Sequence, residues 1–297
     1  MAFPEPPCRH HLGGWASASA SSTFTGRKKK RQRLNFLNIR RSPKTRQSLN
    51  FLNIRAACGR FHAPVPVATA MRMIDDPLGP LDPEFAAAFT RDLNRPPCQL
   101  YLISPVDVSG TFPDRLARAL DAGPVAAFQF RVKDVNQHEA AALAEPLQRI
   151  CADREVAFIV NDSISLAKRL GADGVHLGQE DGDPREARAV LGPEVQIGVT
   201  CHDSRHLAME AGEAGADYVA FGSFYPTTTK EVKHHPEPVI LSWWSTVFEL
   251  PCVAIGGITP ANAPRLVAAG ADFLAVSHAV WGGDEAAAVR AFQEVLR

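Results

Sequence analysis

The feature that most constrains this chain is a regular alternation of short apolar runs with helical patterns over residues 99–297. The apolar runs predict eight strands, at 99–103, 125–130, 157–160, 174–177, 195–199, 217–221, 252–255 and 272–276. The segments between and after them predict eight helices, at 113–122, 138–153, 163–170, 184–191, 204–214, 237–248, 260–269 and 284–296. Strands that alternate with helices form a parallel sheet. Eight such units in so short a segment predict a compact α/β fold, a single (β/α)8 TIM barrel.

A doubly wound open sheet is the other architecture that this alternation can form. Its dinucleotide-binding version carries a G-x-G-x-x-G fingerprint directly after the first strand. The first predicted strand here leads into the segment 104–107, SPVD, which has no such fingerprint. The sequence therefore favours the barrel.

The tripeptide Gly-Ala-Asp recurs directly before three of the predicted strands. A glycine at that point suits the C-terminal end of a helix, where the chain turns into the next strand. The three aspartates, Asp173, Asp217 and Asp272, are therefore expected at the closed end of the barrel. Their position argues for a structural role rather than a catalytic one.

Polar residues end two successive strands between Ala157 and Asp181. Asn161 and Asp162 follow the third predicted strand, and Asp181 follows the fourth. In a barrel, side chains at the C-terminal ends of the strands converge on one mouth, where active sites are built. A pair of carboxylates there suits Mg²⁺, a hard cation that is often shared with substrate phosphates. Helix capping by the same two aspartates is an equally weighted alternative at this point.

The second predicted strand ends in charged residues. A period of two places Gln129, Arg131 and Lys133 on one face of this strand. Arginine offers a planar fork of donors and lysine a point charge, so the pair suits a diphosphate. The alternative is a salt-bridge cluster with the aspartates at the same end of the barrel.

Loops after the last three strands have the composition of phosphate-binding loops. The segment 221–230, FGSFYPTTTK, combines a glycine, three successive threonine hydroxyls and a lysine, although an ordinary Ser/Thr turn could have the same composition. Strand seven leads into Gly256 and Gly257, and Thr259 is predicted to cap a helix that begins at Pro260. Strand eight ends in 276–277, and barrels commonly bind phosphate at loops seven and eight.

Three polar residues, Thr200, Cys201 and His202, follow the fifth predicted strand. His202 could act as a general base. A single histidine beside a helix start is more often a hydrogen-bonded structural residue, and that alternative is kept.

The first 74 residues differ in charge from the rest of the chain. They hold 14 Lys and Arg against one acidic residue, Glu5, for a net charge of +13, whereas residues 75–297 hold 18 basic and 31 acidic residues, for −13. Residues 1–74 have no periodic apolar face, so we expect a disordered basic extension. A transit peptide, a basic arm for nucleic acid or anionic surfaces, and translated upstream sequence are the three explanations. We favour the last, with a working start at Met71 or Met73.

The remaining domain boundaries follow from composition. Residues 75–98 are rich in proline and predict a leader, with one short helix at 84–93, that could cover the bottom of the barrel. The catalytic barrel is then predicted to span 99–297.

Six cysteines are scattered through the chain without a C-x-x-C spacing. This pattern is typical of reduced thiols in a cytoplasmic protein and argues against a disulfide framework or a zinc site. No run of about 18 apolar residues is present, so no membrane span is expected. We expect no nucleic acid or membrane partner for the barrel, and a homo-oligomer stays open.

Six motifs carry a family resemblance. In chain order they are Q-F-R-x-K, V-N-D, G-V-H-L-G-Q-E-D, G-V-T-x-H, Y-P-T-T-T-K and A-I-G-G-I-T-P, all within 99–297. Together they resemble the thiamine-phosphate synthases. The resemblance implies a (β/α)8 transferase of thiamine biosynthesis that uses Mg²⁺. It would join 4-amino-2-methyl-5-hydroxymethylpyrimidine diphosphate to 4-methyl-5-(2-phosphooxyethyl)thiazole and release diphosphate.

The resemblance also implies a role for each motif residue. The Mg²⁺ ligands would be Asp162 and Asp181. The pyrimidine diphosphate would be held by Gln129, Arg131, Lys133, Asn161 and Lys230. The thiazole phosphate would be held by Thr227, Thr229, Gly257, Val276 and Ser277. The catalytic residues would be Arg131, Lys133 and Lys230, because they can neutralise the charge that grows on the leaving diphosphate.

The chain departs from the family pattern in four places. Thr200 stands where serine is usual and keeps the hydroxyl, so it is expected to bind substrate. Val132 and His278 replace a frequent glutamate and an alanine. The segment 231–238 lacks the usual glycine, which leaves closure of the substrate loop open.

Two other functions compete with the synthase. The related thiazole tautomerase is an isomerase on the same scaffold and resembles this chain at His202 and the glycines. It transfers a proton and needs no metal pair, so Asp162 and Asp181 speak against it. A non-catalytic barrel that binds a phosphorylated ligand is the second alternative.

Overall fold

The computed structural model describes residues 95–227 and 234–297. The eight strands are β1 (Gln99–Ile103), β2 (Ala127–Phe130), β3 (Ala157–Asn161), β4 (Gly174–Leu177), β5 (Gln196–His202), β6 (Tyr218–Phe221), β7 (Cys252–Ile255) and β8 (Phe273–Val276). The helices are α1 (Phe112–Asp121), α2 (Gln137–Asp153), α3 (Ile164–Leu170), α4 (Pro184–Leu191), α5 (Arg205–Glu213), α6 (Val239–Val247), α7 (Ala263–Ala268), α8 (His278–Trp281) and α9 (Glu285–Val295). The basic extension, most of the leader, Thr229 and Lys230 lie outside the described residues.

The strands form one closed parallel sheet in chain order, and β8 pairs with β1. This confirms the predicted (β/α)8 barrel, because every predicted strand overlaps an observed one. Among helices α1–α9, none has the length and apolar character to cross a membrane.

Side chains of each strand alternate between two apolar layers. One layer fills the barrel interior and includes Tyr101, Ile159, Tyr218 and Phe273. The other lies between the sheet and the helices and includes Leu102 and many further buried residues of the strands and helices. The interior layer supports the polar residues at the C-terminal mouth from below.

The three Gly-Ala-Asp aspartates lie at the N-terminal end of the barrel, as predicted. The Oδ2 atoms of Asp173, Asp217 and Asp272 accept hydrogen bonds at 2.8 to 2.9 Å from the first or second N–H of the preceding strand in each case. Arg188 of α4 also pairs with Asp217, and Arg95 pairs with Asp272 at 2.6 Å. Each aspartate thus ties two neighbouring strands together, away from the mouth.

Strand β5 is longer than predicted. Thr200, Cys201 and His202 were expected to follow the strand, but they belong to it, and Thr200 and His202 pair with β6. The register shifts between Thr200 and His202, so an irregularity lets the pairing continue after the regular alternation ends.

Two helix predictions near loops seven and eight are also corrected. Helix α7 begins at Ala263 with Asn262 as its N-cap, not at Pro260 after Thr259. Pro264 is tolerated only in a first helical turn, which places the helix start after Pro260. Helix α8, which directly follows β8, was not predicted, because four residues are too few to show a helical period.

Candidate active site

Acidic and basic side chains from three successive strand ends meet at the C-terminal mouth. Nζ of Lys133, in the loop after β2, lies 2.9 Å from Oδ2 of Asp162, directly after β3. The carboxyl of Asp162 also lies near that of Asp181, after β4, and raises its pKa. The structure therefore brings the two predicted metal ligands and one predicted diphosphate ligand together.

Neither aspartate caps a helix. The side chain of Ser163 caps α3, and the side chain of Asp183 caps α4. This excludes helix capping as the explanation for Asp162 and Asp181.

The backbone of Asp162 has a left-handed conformation, with φ of 64°. Its N–H donates to the carbonyl of His176 in β4 at 2.8 Å. Residues with positive φ other than glycine are uncommon, and aspartate tolerates this region better than most. The turn interrupts the alternation of β3 at the point where the carboxyl meets Lys133.

The carboxyl of Asp181 lies against its own loop. Its Oδ2 accepts from the N–H of Gly178 at 2.9 Å. A Cβ on Gly178 would stand 2.6 Å from the same oxygen, so glycine makes room for this approach. Burial raises the pKa of Asp181, and the nearby carboxyl of Asp162 raises it further, against the opposing effects of the Gly178 N–H and the Lys133 charge. A bound cation would relieve this repulsion.

Arg131 and Lys133 lie in the loop beyond β2, which ends at Phe130. The prediction that they share a strand face with Gln129 is therefore wrong, since the pairing with β3 stops one residue before Arg131. The Arg131 backbone is held by Ser104, whose Oγ accepts from its N–H at 2.9 Å. Its Nη1 is buried and has no hydrogen-bond partner among the described residues. A buried guanidinium nitrogen without an acceptor suits an anionic ligand.

The loops after β6 and β7 pack against each other through their backbones. The N–H groups of Phe224 and Tyr225 donate to the carbonyls of Ile255 and Gly256 at 3.1 Å. Gly257 has φ of 61°, and a Cβ there would stand 2.8 Å from the Cβ of Tyr225. A glycine is needed at this close approach.

The predicted thiazole phosphate ligands lie on these loops and on the loop after β8. Thr227 is half-buried in the first of them, and Val276 is the last residue of β8. Ser277 follows it and is the N-cap of the short helix α8. Phosphate sites of (β/α)8 barrels are often formed by loops seven and eight with the start of a short extra helix. The observed elements match that arrangement.

A buried polar chain crosses the barrel interior below the mouth, and sequence reasoning missed three of its members. Nε2 of Gln129 donates to the hydroxyl of Tyr101 at 3.0 Å, and this hydroxyl lies 3.0 Å from that of Tyr218. Nδ1 of His176 lies 3.1 Å from the Tyr218 hydroxyl, and its Nε2 lies 2.9 Å from Oγ1 of Thr200. The signal that could have found them is a polar residue at an interior position of an apolar strand.

The remaining predicted residues have different surroundings. Asn161 ends β3 and is level with His176 in the register of β3 and β4. His202, considered as a general base, stacks on His234 with ring centroids 4.5 Å apart. Gln179 donates its amide N–H to the carbonyl of Thr200. His202 is thus part of a histidine pair with His234.

The donor set at the mouth fits Mg²⁺ better than a transition metal. Within the described ranges no group of three His, Cys, Asp or Glu side chains could hold a metal ion. Asp162 and Asp181 supply carboxylate oxygens. Mg²⁺ is usually bound by one or two carboxylates, with substrate phosphates and waters as the other ligands.

The barrel, the acidic pair, the nearby basic side chains and the glycine loops define a (β/α)8 enzyme of the class that binds phosphorylated substrates. The family model described as "Thiamine monophosphate synthase" matches residues 100–280. The chain belongs to this family.

Individual relatives agree with that membership. The chain is 70% identical over 204 residues to a thiamine-phosphate synthase of Erythrobacter litoralis, covering 67% of this chain and 96% of the relative. It is 55% identical over 203 residues to that of Rhodospirillum centenum, covering 67% and 98%. A solved structure described as thiamine phosphate pyrophosphorylase from Pyrococcus furiosus has a TM-score of 0.60 and 29% identity, and covers 67% of this chain and 95% of that one.

Proposed function

We propose that this chain is an Mg²⁺-dependent thiamine-phosphate synthase. It joins 4-amino-2-methyl-5-hydroxymethylpyrimidine diphosphate to 4-methyl-5-(2-phosphooxyethyl)thiazole and releases diphosphate. The observation that carries the proposal is the meeting of Asp162, Asp181 and Lys133 at the barrel mouth. The named relatives support the transferase assignment.

The reaction replaces one bond by another at the methylene carbon of the pyrimidine. The thiazole nitrogen attacks this carbon with its lone pair while the carbon–oxygen bond breaks, and diphosphate leaves with the bonding electrons. The electron-rich aminopyrimidine can carry positive charge, so bond breaking can precede attack. The protein therefore needs to stabilise the leaving group and orient two substrates, and it needs no nucleophile of its own.

The residues of the mouth suit these tasks. Arg131 has a buried Nη1 available for a phosphate oxygen, and Lys133 places a second cation beside Asp162. Both side chains would bind the diphosphate more strongly as its charge grows. Lys230 is proposed to act with them.

Asp162 and Asp181 would hold Mg²⁺, which when bound supplies positive charge to the leaving diphosphate. Lys133 is hydrogen-bonded to Asp162 in the described structure. Binding of the cation and the diphosphate would release Lys133 from this pair toward the phosphate oxygens.

The thiazole phosphate is proposed to bind at the loops after β6, β7 and β8. Gly257, in the loop after β7, allows the backbone of the loop after β6 to approach closely. Ser277, directly after β8, is the N-cap of helix α8. Thr227, Thr229 and Val276 complete the proposed set.

The metal part of the proposal is tested by coupling assays with purified protein. Thiamine phosphate should form with Mg²⁺ and should fall to background with EDTA, and added Mg²⁺ should restore it. Ca²⁺ at equal concentration should support less turnover, because a larger and more loosely coordinated cation fits the site less well. Full turnover in EDTA would overturn the metal assignment.

We also propose a cytoplasmic location. The four cysteines in the described residues are free thiols, which supports a reducing, cytoplasmic location.

A further inference from the structure

The polar chain inside the barrel is unusual because its members are buried in an otherwise apolar layer. Tyr101 is 1% exposed, Tyr218 is 0% exposed and His176 is 7% exposed. Buried polar groups are costly unless they are hydrogen-bonded, and here each one bonds to the next. The residue next to Tyr218 is also small, since any side chain on Gly198 would collide with the Tyr218 ring.

Both ends of the polar chain are residues that are proposed to contact substrate. Gln129 lies at one end and is bonded to Tyr101. Thr200 lies at the other end and is bonded to His176. Thr200 is half-buried, so the chain passes from the closed interior to the mouth.

Each hydroxyl has one proton to donate along the polar chain, and so does the imidazole of His176 when it is in its neutral form, so donation can run in two directions. In the first direction Gln129 donates to Tyr101, Tyr101 to Tyr218, Tyr218 to Nδ1 of His176, and Nε2–H of His176 to Thr200. This leaves the Gln129 Oε1 as an acceptor and the Thr200 hydroxyl proton as a donor. In the second direction the amide of Gln129 is reversed, and Thr200 gives its proton to His176.

At the Gln129 end, the structure corresponds to the first direction of donation, because the amide nitrogen of Gln129 faces the Tyr101 hydroxyl. Burial raises the pKa of both phenols, so both keep their protons. The side chain of Gln129 then offers its oxygen for a ligand, and Thr200 offers its proton.

This pattern matches the pyrimidine substrate of the proposed function, on which the inference rests. A 4-aminopyrimidine has an amino group that donates and ring nitrogens that accept. The 4-oxo analogue, in its lactam form, has an acceptor oxygen and a donor N–H, which is the opposite pattern. We propose that His176, Tyr218 and Tyr101 are positioning residues that set the direction of donation, so that Gln129 and Thr200 select the aminopyrimidine over its 4-oxo analogue.

The test compares two pyrimidine diphosphates, 4-amino and 4-oxo, with thiazole phosphate held constant. Tyr218→Phe breaks the chain in its middle and keeps the ring packed against Gly198. It should lower the ratio of kcat/KM for the amino substrate to kcat/KM for the oxo substrate by about tenfold, which corresponds to about 1.4 kcal/mol. The KM for the thiazole phosphate should not change, because that substrate binds at the other loops.

Variants of His176 separate positioning from packing. His176→Leu should lose selectivity as Tyr218→Phe does. His176→Gln can place an amide N–H toward Thr200 and should recover part of the ratio. Thr246→Val is the control, because it removes a hydroxyl that donates to Ser242 at 2.7 Å in α6, and it should leave the ratio unchanged.

The outcomes are distinguishable. Suppose that the wild-type protein couples the substrates and that the variants lose kcat/KM equally for the 4-amino and the 4-oxo pyrimidine. This result would overturn the inference and leave the proposed function intact. Equal ratios in His176→Gln and His176→Leu would also contradict it. A wild-type protein that does not couple the 4-amino substrate would refute the proposed function and the inference together.

Discussion

Lys133 and Asp162 form an ion pair at the barrel mouth, with Nζ 2.9 Å from Oδ2. The side chains are 46% and 30% exposed, so solvent screens the pair and its contribution to stability is small. The pair is better explained by function, because it holds a proposed metal ligand and a proposed diphosphate ligand next to each other. The lysine occupies part of the space where Mg²⁺ and diphosphate are proposed to bind.

Removing either proposed metal ligand should abolish most turnover. Asp162→Asn and Asp181→Asn should each reduce kcat by roughly 100-fold or more, because each replaces an anionic oxygen ligand. Asparagine is preferred to alanine at position 162, since it tolerates positive φ. Asp183→Asn is the matched control, because asparagine caps a helix as well as aspartate does. Full activity in either test variant, measured at saturating Mg²⁺, would refute the metal assignment.

Lys133 should tune the acid limit of Mg²⁺ binding. The pKa of Asp181 is raised, chiefly by burial and then by Asp162, while Lys133 opposes the rise. The metal needs the carboxylate form, so affinity should fall as pH decreases, starting above the usual range of an aspartate. Lys133→Met removes the opposing charge and should move that fall to higher pH. The measurement is a series of Mg²⁺ titrations between pH 4 and 8. A fall in affinity that occurred at lower pH in the variant than in the wild type would contradict this prediction.

Arg131 should contribute to binding of the pyrimidine diphosphate through its forked donors. Arg131→Lys keeps the charge and loses the fork, so KM for this substrate should rise about 10-fold or more. The KM for the thiazole phosphate should stay within twofold, roughly, of the wild-type value. Arg149→Lys on the exposed face of α2 is the control. Equal KM values for both arginine variants would show that Arg131 does not contact the diphosphate.

Gly257→Ala should impair the thiazole phosphate site. The residue has φ of 61°, and its Cβ would meet Tyr225. Gly171→Ala is a matched control, because Gly171 has φ of 57° and a Cβ there would meet nothing within 4 Å. Both variants should lose about 1 kcal/mol of stability from backbone strain, and Gly257→Ala should lose more, because its Cβ would stand 2.4 Å from the carbonyl oxygen of Pro226. Only Gly257→Ala should raise KM for the thiazole phosphate, and an equal rise in both would contradict the loop assignment.

Glu285 should make stability depend on pH without affecting turnover. Burial raises its pKa, but hydrogen bonds from Arg115 and Arg118 outweigh this effect and hold the pKa below the usual 4.5. A lowered pKa adds stability above about pH 4.5, and this contribution is lost as pH falls through the folded-state pKa. Glu285→Gln should therefore lower the free energy of unfolding by about 1 kcal/mol at pH 7.

The difference between wild type and Glu285→Gln should shrink in denaturant titrations below about pH 4.5. Glu145→Gln is the control, because Glu145 and its partner Arg149 are 72% and 70% exposed. A difference that grows as pH falls would contradict the assigned role of Glu285.

A chain that begins at Met73 should fold and turn over like the full chain. It keeps Arg95, whose guanidinium bonds to Asp272 and to the carbonyl of Ser245. Attraction between the +13 segment 1–74 and the −13 remainder would be screened within about 10 Å at 0.1 M salt. A large loss of melting temperature or of coupling on removal of residues 1–72 would show that the extension belongs to the catalytic unit.

The sequence was sufficient to predict the barrel because each strand is a distinct apolar run and each of the eight longer segments between and after the strands has a helical pattern. It also predicted Asp162 and Asp181 as neighbours, since parallel strands deliver their C-terminal residues to one mouth. It did not distinguish metal binding from helix capping. That distinction needed the side chains of Ser163 and Asp183, which cap the two helices.

The missed parts depend on contacts between distant residues. Tyr101 and Tyr218 are 117 positions apart, and no local pattern indicates that their hydroxyls meet. Thr200 was assigned to a loop because the shift in register of β5 has no signature in sequence. Helix α8 is too short to have a period. These features arise from closure of the barrel, which brings β1 to β8 and places interior side chains across from one another.

The most direct test of the central claim is product analysis of one reaction by ³¹P NMR. Purified protein with both substrates and Mg²⁺ should convert the pyrimidine diphosphate and the thiazole phosphate into equal amounts of thiamine phosphate and free diphosphate. Isomerisation of a thiazole carboxylate phosphate without coupling would instead identify a tautomerase. Binding of the thiazole phosphate with no conversion at all would indicate a non-catalytic barrel and would contradict the synthase assignment.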